Sequence, residues 1–355
     1  MKLSPHLRSF GISGAAMRVL RDVAGATLPR ASRASRARRF VFHYEHVLGT
    51  SLELQVVASH ERAARCAEGA VLAEVDRLAA ILSGYSESSE LIRWTRTFGT
   101  DVSVSPELAE VLEAAEQWRF KTTGSFSAAA VSLVELLRDG PSEETSDASR
   151  AHLVRERVHA LRQPQWSVDR ARGIARRRSE LSFSLDALAK GYIVDRAAAC
   201  ARDVDGVSHV LLNIGGDLRH HGTRALRVGV ASPFAPAENA RPLAMVHLRD
   251  AALATSGGYR RGFMMNGRHV SHILDPRTGL PASRIVSASV FAPDCATADA
   301  LSTAFSVMEP RESVTLAYGI PNVGCLIVER NGTVTTNAVW NAAALSQNED
   351  TTYSR

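Results

Sequence analysis

An α+β fold follows from three features of the 355-residue sequence. Apolar segments with strand alternation and segments with helical spacing are mixed along the chain. They keep no regular strand–helix–strand beat, which argues against a doubly wound parallel sheet. No internal repeat appears.

The elements follow in order. Residues 40–58 alternate and are rich in Phe, Val, Tyr and Leu, which predicts strands bent at Gly49. In residues 60–82, Ala64, Ala67, Val71, Val75, Leu78 and Leu82 recur at helical spacing. Ser105-Pro106 gives a cap with proline at the first helical position, opening a helix that runs to residue 120 or so. Residues 139–149 are polar and form an internal surface break. A helix is expected over 150–162, with strand-like segments at 165–175 and 180–185. The next helix covers 187–203, with Lys190 in its first turn. Short strands and Gly-rich turns alternate through 208–292, and a helix follows at 297–307. Asn331-Gly332 between two apolar runs signals a hairpin. The expected organisation is a basic, disordered extension at 1–39, one domain at 40–345, and a frayed tail at 346–355.

Composition bounds the function. The chain is 45% hydrophobic and 22% charged, ordinary for a globular protein. Residues 1–40 hold nine basic side chains against one acid, a net of +8, while the whole chain carries +5. The remainder is therefore at −3, and the basic balance gives no argument for nucleic-acid binding. Cys66, Cys200, Cys295 and Cys325 show no close spacing, which disfavours a zinc ribbon or a disulfide scaffold. No run reaches the roughly 18 apolar residues of a membrane helix. The first residues lack a clean signal-peptide core and a lipid-anchor cysteine, so a cytoplasmic location is expected, with the bacterial cell envelope as the alternative.

Four clusters carry chemistry. Lys190 is one of only three lysines and lies in an apolar run, Leu185 to Asp195. At a helix start it would add a full charge to N–H groups that suit phosphate, or it is a solvated lysine whose stem lies on apolar surface. Leu211–Leu218 runs into Gly215-Gly216-Asp217, either a close backbone approach to a ligand or a plain hairpin end. Thr255–Tyr259 and Ser271–Gly279 gather hydroxyls, His272, Asp275 and Arg277 on turns, without the spacing of a serine-hydrolase elbow. In Ala296–Thr303, Asp299 and Thr303 are four apart, so both oxygens face one way. That pair suits a hard cation such as Mg²⁺; helix capping by Thr297 or Asp299 is the alternative.

In this order the clusters resemble the ApbE family of FAD:protein FMN transferases. The motifs are A-x-A-K-G-Y-x-V-D at Ala187–Asp195, S-H-I-x-D-P-x-T-G at Ser271–Gly279, the Gly-Gly-Asp turn, and the A-D-A-x-x-T helix. Val47–Thr50, Leu82–Tyr85, Ser88–Leu91 and Thr123–Phe126 resemble earlier family segments. The resemblance implies a T-fold-like sheet core flanked by helices, with FAD as substrate. It implies Mg²⁺ held by the Ala187 carbonyl, Asp299 and Thr303. Lys190 is expected to contact the dinucleotide, and Leu48, Tyr85, Ser125, Phe126, Ser127, Ser184 and Leu274 to line the FAD site. His272 is the candidate base, and Asp299 the candidate catalytic acid group at the metal. The implied reaction transfers FMN to a Thr or Ser hydroxyl of an acceptor protein and releases AMP. Ser127, Ser184 and Ser302 stand where many members carry acids. That keeps open an FAD pyrophosphatase, or a flavin-binding protein without turnover.

Overall fold

The computed structural model describes residues 37–138, 147–235, 240–257 and 273–344, plus the backbone of short strands at 18–19, 262–265 and 268–271. His272 lies outside the described residues, as does most of the polar segment 139–149.

Eight antiparallel strands form the main sheet. Their order is Val334–Thr336, Gly324–Glu329, Ile285–Ala292, Ala252–Ser256, Asp217–His221, Val207–Ile214, Thr50–Ala58 and Arg38–Val47. Period-2 alternation gives this sheet two buried faces. Leu52, Leu54, Val56, Val210 and Leu212 join one core with the helices Glu61–Leu82, Asp186–Arg202 and Cys295–Phe305. Leu211, Leu218, Leu253 and Val328 join the other, under the ribbon Leu226–Val230/Ala244–Leu248 and the Trp340 side chain. A separate three-stranded sheet, Asp101–Ser103, Ile174–Arg177 and Trp166–Asp169, flanks the Pro106–Lys121 helix. Trp94, Trp166 and Phe183 meet there, mostly edge to face.

The long elements match their sequence signals. The stripe Ala64, Ala67, Val71, Val75, Leu78 and Leu82 is buried against the sheet. Ser105 Oγ accepts the Leu108 N–H at 3.2 Å and caps the helix that Pro106 opens. Three expectations change. The segment expected as one strand over 165–175 is two strands, Trp166–Asp169 and Ile174–Arg177, joined by a turn. Residues 180–185 are not a strand: Phe183 is used in the aromatic cluster, and the Ser184 N–H donates to the Ala128 carbonyl at 2.9 Å. The helix expected from 297 begins at Cys295, because Asp294 Oδ1 accepts the Thr297 N–H at 2.7 Å. Asp299 is therefore well inside the helix, and neither it nor Thr297 is the cap. The short helices Glu90–Thr95, Val131–Arg138, Pro310–Tyr318 and Ala338–Ala343 were not anticipated. Among the described residues, no helix is long and apolar enough to cross a membrane.

Candidate active site

The site is built on the seam between the Asp186–Arg202 and Cys295–Phe305 helices. Gly191 makes the seam possible, since a Cβ there would sit 2.5 Å from the Cys295 carbonyl oxygen. Asp195, one turn further on, accepts the Cys295 N–H at 2.8 Å and the Ala296 N–H at 2.9 Å. It thus takes up two of the N–H groups that a helix leaves unpaired at its start. Burial pushes the Asp195 carboxyl up to about 7, against those two N–H groups and Arg219. The Gly191 N–H donates to Asp299 Oδ2 at 3.2 Å. In a regular helix that N–H is the one aimed at the Ala187 carbonyl.

Lys190 is buried, and its Nζ lies 2.5 Å from Asp217 Oδ2. It is no surface lysine with a solvated head. Asp217 reaches it because the preceding turn uses two glycines in left-handed backbone, Gly215 at φ 62° and Gly216 at φ 99°. A Cβ on Gly215 would come within 2.6 Å of Thr50 Cγ2, so the turn also presses on the Val47–Thr50 bend. Asp299 is buried beside this pair, and the charges of both Asp217 and Lys190 act on it. Two buried acids therefore stand near one ammonium, which pairs directly with Asp217. Burial pushes Asp299 well above the usual carboxylate range, and the charge of Asp217 adds to that. Asp217 is also raised by burial, with Lys190 opposing. Burial works against the Lys190 charge, but Asp217 and Asp299 outweigh it and hold the ammonium above its ordinary value.

Hydroxyls line the next turn. Ser256 Oγ lies 2.9 Å from Ser302 Oγ and 3.3 Å from Thr303 Oγ1. Ser302 Oγ donates back to the Asp299 carbonyl at 3.0 Å. Among the described residues, no three His, Cys, Asp or Glu side chains gather as a metal site. A cation at this seam would thus combine one carboxylate with hydroxyl and carbonyl oxygens, the donor set of a hard ion.

The rim is drawn from loops. The exposed Tyr85 donates from its hydroxyl to Asp186 Oδ2 at 2.7 Å, beside Ala187. Ser184 Oγ accepts the Asp186 N–H at 3.1 Å. Ser125 Oγ and Ser127 Oγ are buried with no partner among the described residues. Gly124 packs beside the Arg277 stem, so the Thr123–Ser127 loop meets the Asp275–Gly279 turn. Not every expected lining residue presents a side chain. Leu48, Phe126 and Leu274 are buried in hydrophobic clusters, so a ligand would meet their backbone. Lys190 has its charge committed to Asp217, so in this structure it acts through the two acids. Asp186, Asp195, Asp217 and Ser256 were not named as site residues. Asp217 and Ser256 had a signal, since each sits in a Gly-rich turn already singled out; Asp186 and Asp195 were read only as part of the Lys190 segment.

The model of the ApbE family matches residues 48–327. The chain belongs to the ApbE family. A FAD:protein FMN transferase of Treponema pallidum is 28% identical over 305 residues, covering 80% of this chain and 83% of the relative. One of Rhodobacter capsulatus is 31% identical over 273 residues, 74% of this chain and 50% of its own length. Among solved structures, the ApbE protein of Thermotoga maritima superposes with a TM-score of 0.74 at 26% identity, covering 87% of this chain and all of its own. The apo flavinyl transferase ApbE of Pseudomonas stutzeri, at 24% identity and a TM-score of 0.72, agrees in fold. The ApbE match begins at Leu48, on the first bend, and ends in the Gly324–Glu329 strand.

Proposed function

We propose that this chain transfers the FMN half of FAD to a Thr or Ser hydroxyl of an acceptor protein and releases AMP. The observation that carries the reading is the buried group of two acids beside one ammonium, with the Thr303 hydroxyl one turn along the helix from Asp299 and Ser256 Oγ 3.3 Å from that hydroxyl. Buried charge of that sign is costly unless a further cation compensates it. The residues fit Mg²⁺: the Asp299 carboxylate, the Thr303 hydroxyl and the Ala187 carbonyl would hold it. When bound, Mg²⁺ would neutralise pyrophosphate oxygens during phosphoryl transfer.

The chain's own residues do the rest. The acceptor oxygen attacks the FMN-side phosphorus, the bond from that phosphorus to the bridging oxygen breaks, and AMP departs with the electron pair. The hydroxyl proton passes to a base, for which His272 is the sequence-based candidate. Lys190 and Asp217 hold Asp299 in place and set its charge. Tyr85 and Asp186 stand at the mouth beside Ala187, and the Ser125 and Ser127 hydroxyls, without a partner among the described residues, offer hydrogen bonds to the dinucleotide.

The test is incubation with FAD, Mg²⁺ and Thr-bearing acceptor peptides, read by intact mass. A covalent FMN adduct with matching AMP release is expected. Free FMN and AMP without adduct would make the protein a pyrophosphatase instead. Intact FAD throughout would leave a flavin-binding protein without turnover.

A further inference from the structure

We propose that Asp195 is a positioning residue for the metal-binding oxygens, setting the Cys295–Phe305 helix against the Asp186–Arg202 helix so that Asp299, Thr303 and the Ala187 carbonyl converge. This rests on the proposed divalent-cation site. Nothing in the donor set itself fixes how far the second helix slides along the first. Two contacts do.

At Gly191 the backbones approach so closely that a Cβ would overlap the Cys295 carbonyl group. One turn along the same helix, both Asp195 carboxylate oxygens meet the start of the second helix, at Cys295 N and Ala296 N. The carboxylate thus ties the first turn of one helix to the third turn of the other. Asp299 is four residues beyond Cys295, so it stands on the same helix face one turn on. There it receives the Gly191 N–H. A shift of the second helix by a fraction of an ångström would break that bond and part Asp299 from Ala187.

Asp195 is itself held. Arg219 Nε lies 3.7 Å from Asp195 Oδ1, and Arg219 is anchored in turn by Asp250 at 3.4 Å. The Asp217–His221 strand therefore supports the seam twice on one face: Asp217 takes Lys190, and Arg219, two residues on, takes Asp195. Asp195 touches none of the proposed metal ligands, so its effect must pass through the helix it holds.

The experiment titrates Mn²⁺ into the FAD-loaded full chain and follows free Mn²⁺ by electron paramagnetic resonance. Wild type is compared with Asp195→Ala, Asp195→Asn and Arg219→Leu, and melting curves are recorded alongside. Asp195→Ala should weaken Mn²⁺ binding by about 10–100-fold, the range for residues that orient metal ligands. Asp195→Asn keeps one acceptor oxygen and should recover part of the loss, even if the alanine variant fails to fold. Arg219→Leu should give the smallest weakening. In turnover assays the apparent KM for Mg²⁺ should rise more than kcat falls. Folded Asp195 variants with wild-type Mn²⁺ affinity would overturn the positioning role. Absence of Mn²⁺ binding by FAD-loaded wild type would overturn the cation site, and this role with it.

Discussion

The two faces of the Asp217–His221 strand are built on opposite principles. Toward the helices it presents Asp217 to Lys190 and Arg219 to Asp195, and His221 next in line bonds Asp250 at 2.9 Å. On the reverse, Leu218 is fully buried with Val228, Val246 and Leu248, and His220 lies close to the His209 ring. One face is a row of paired charges whose partners fix positions. The other is packed by area, where neighbours can exchange contacts. Directional pairs specify where Asp299 stands; apolar burial supplies stability with little preference for any one geometry.

That contrast can be broken at its strongest point first. Lys190→Met removes the ammonium paired with buried Asp217 and should cost about 3–5 kcal/mol in urea unfolding. The double variant Lys190→Met/Asp217→Leu should recover much of this, because no carboxylate is then left facing the lost charge at that position. On the opposite face, Leu218→Ala should cost about 2–5 kcal/mol, as for a fully buried leucine, yet leave turnover per folded molecule unchanged. Equal loss of turnover in the two single variants would erase the distinction between the faces.

His220 sharpens the contrast by pH. Burial first, then the neighbouring His209, pulls its imidazole from 6.5 down to about 4. A histidine with a lowered folded value contributes stability above pH 6.5, which is lost as pH falls toward 4. The loss should reach about 3 kcal/mol across that window, and His220→Gln should flatten it in unfolding curves. The smallest effect on stability belongs to the seam. Gly191→Ala forces a methyl group against the Cys295 backbone and should cost about 1–3 kcal/mol. Its turnover should fall further than its stability, which paired unfolding and rate measurements would show.

Local patterning made most of the fold legible. The alternation of residues 40–58, the apolar stripe of 60–82 and the Ser105-Pro106 start each depend on neighbours in sequence, and each was read correctly. Residues 180–185 were misread because Phe183 looks like a strand residue until Trp94 and Trp166 are brought beside it. The Pro310–Tyr318 helix carries its signal locally, in the Glu309/Glu312 capping box with Pro310 between. The motifs grouped the right segments of the site, but their pairings were invisible. Lys190 and Asp217 are far apart in sequence, and nothing local says that the lysine turns inward to an acid. The contacts of Asp195 are equally non-local: the backbone N–H groups of Cys295 and Ala296, a hundred residues on, and the Arg219 side chain.

The most direct measurement is a crystal soaked with FAD and Mn²⁺, with the cation located by anomalous scattering. A single strong peak is predicted against the Asp299 carboxylate, Thr303 Oγ1 and the Ala187 carbonyl, with the FAD pyrophosphate on its open side. A peak elsewhere, or a pyrophosphate bound away from this seam while Asp299 keeps the Gly191 N–H as its partner, would contradict it.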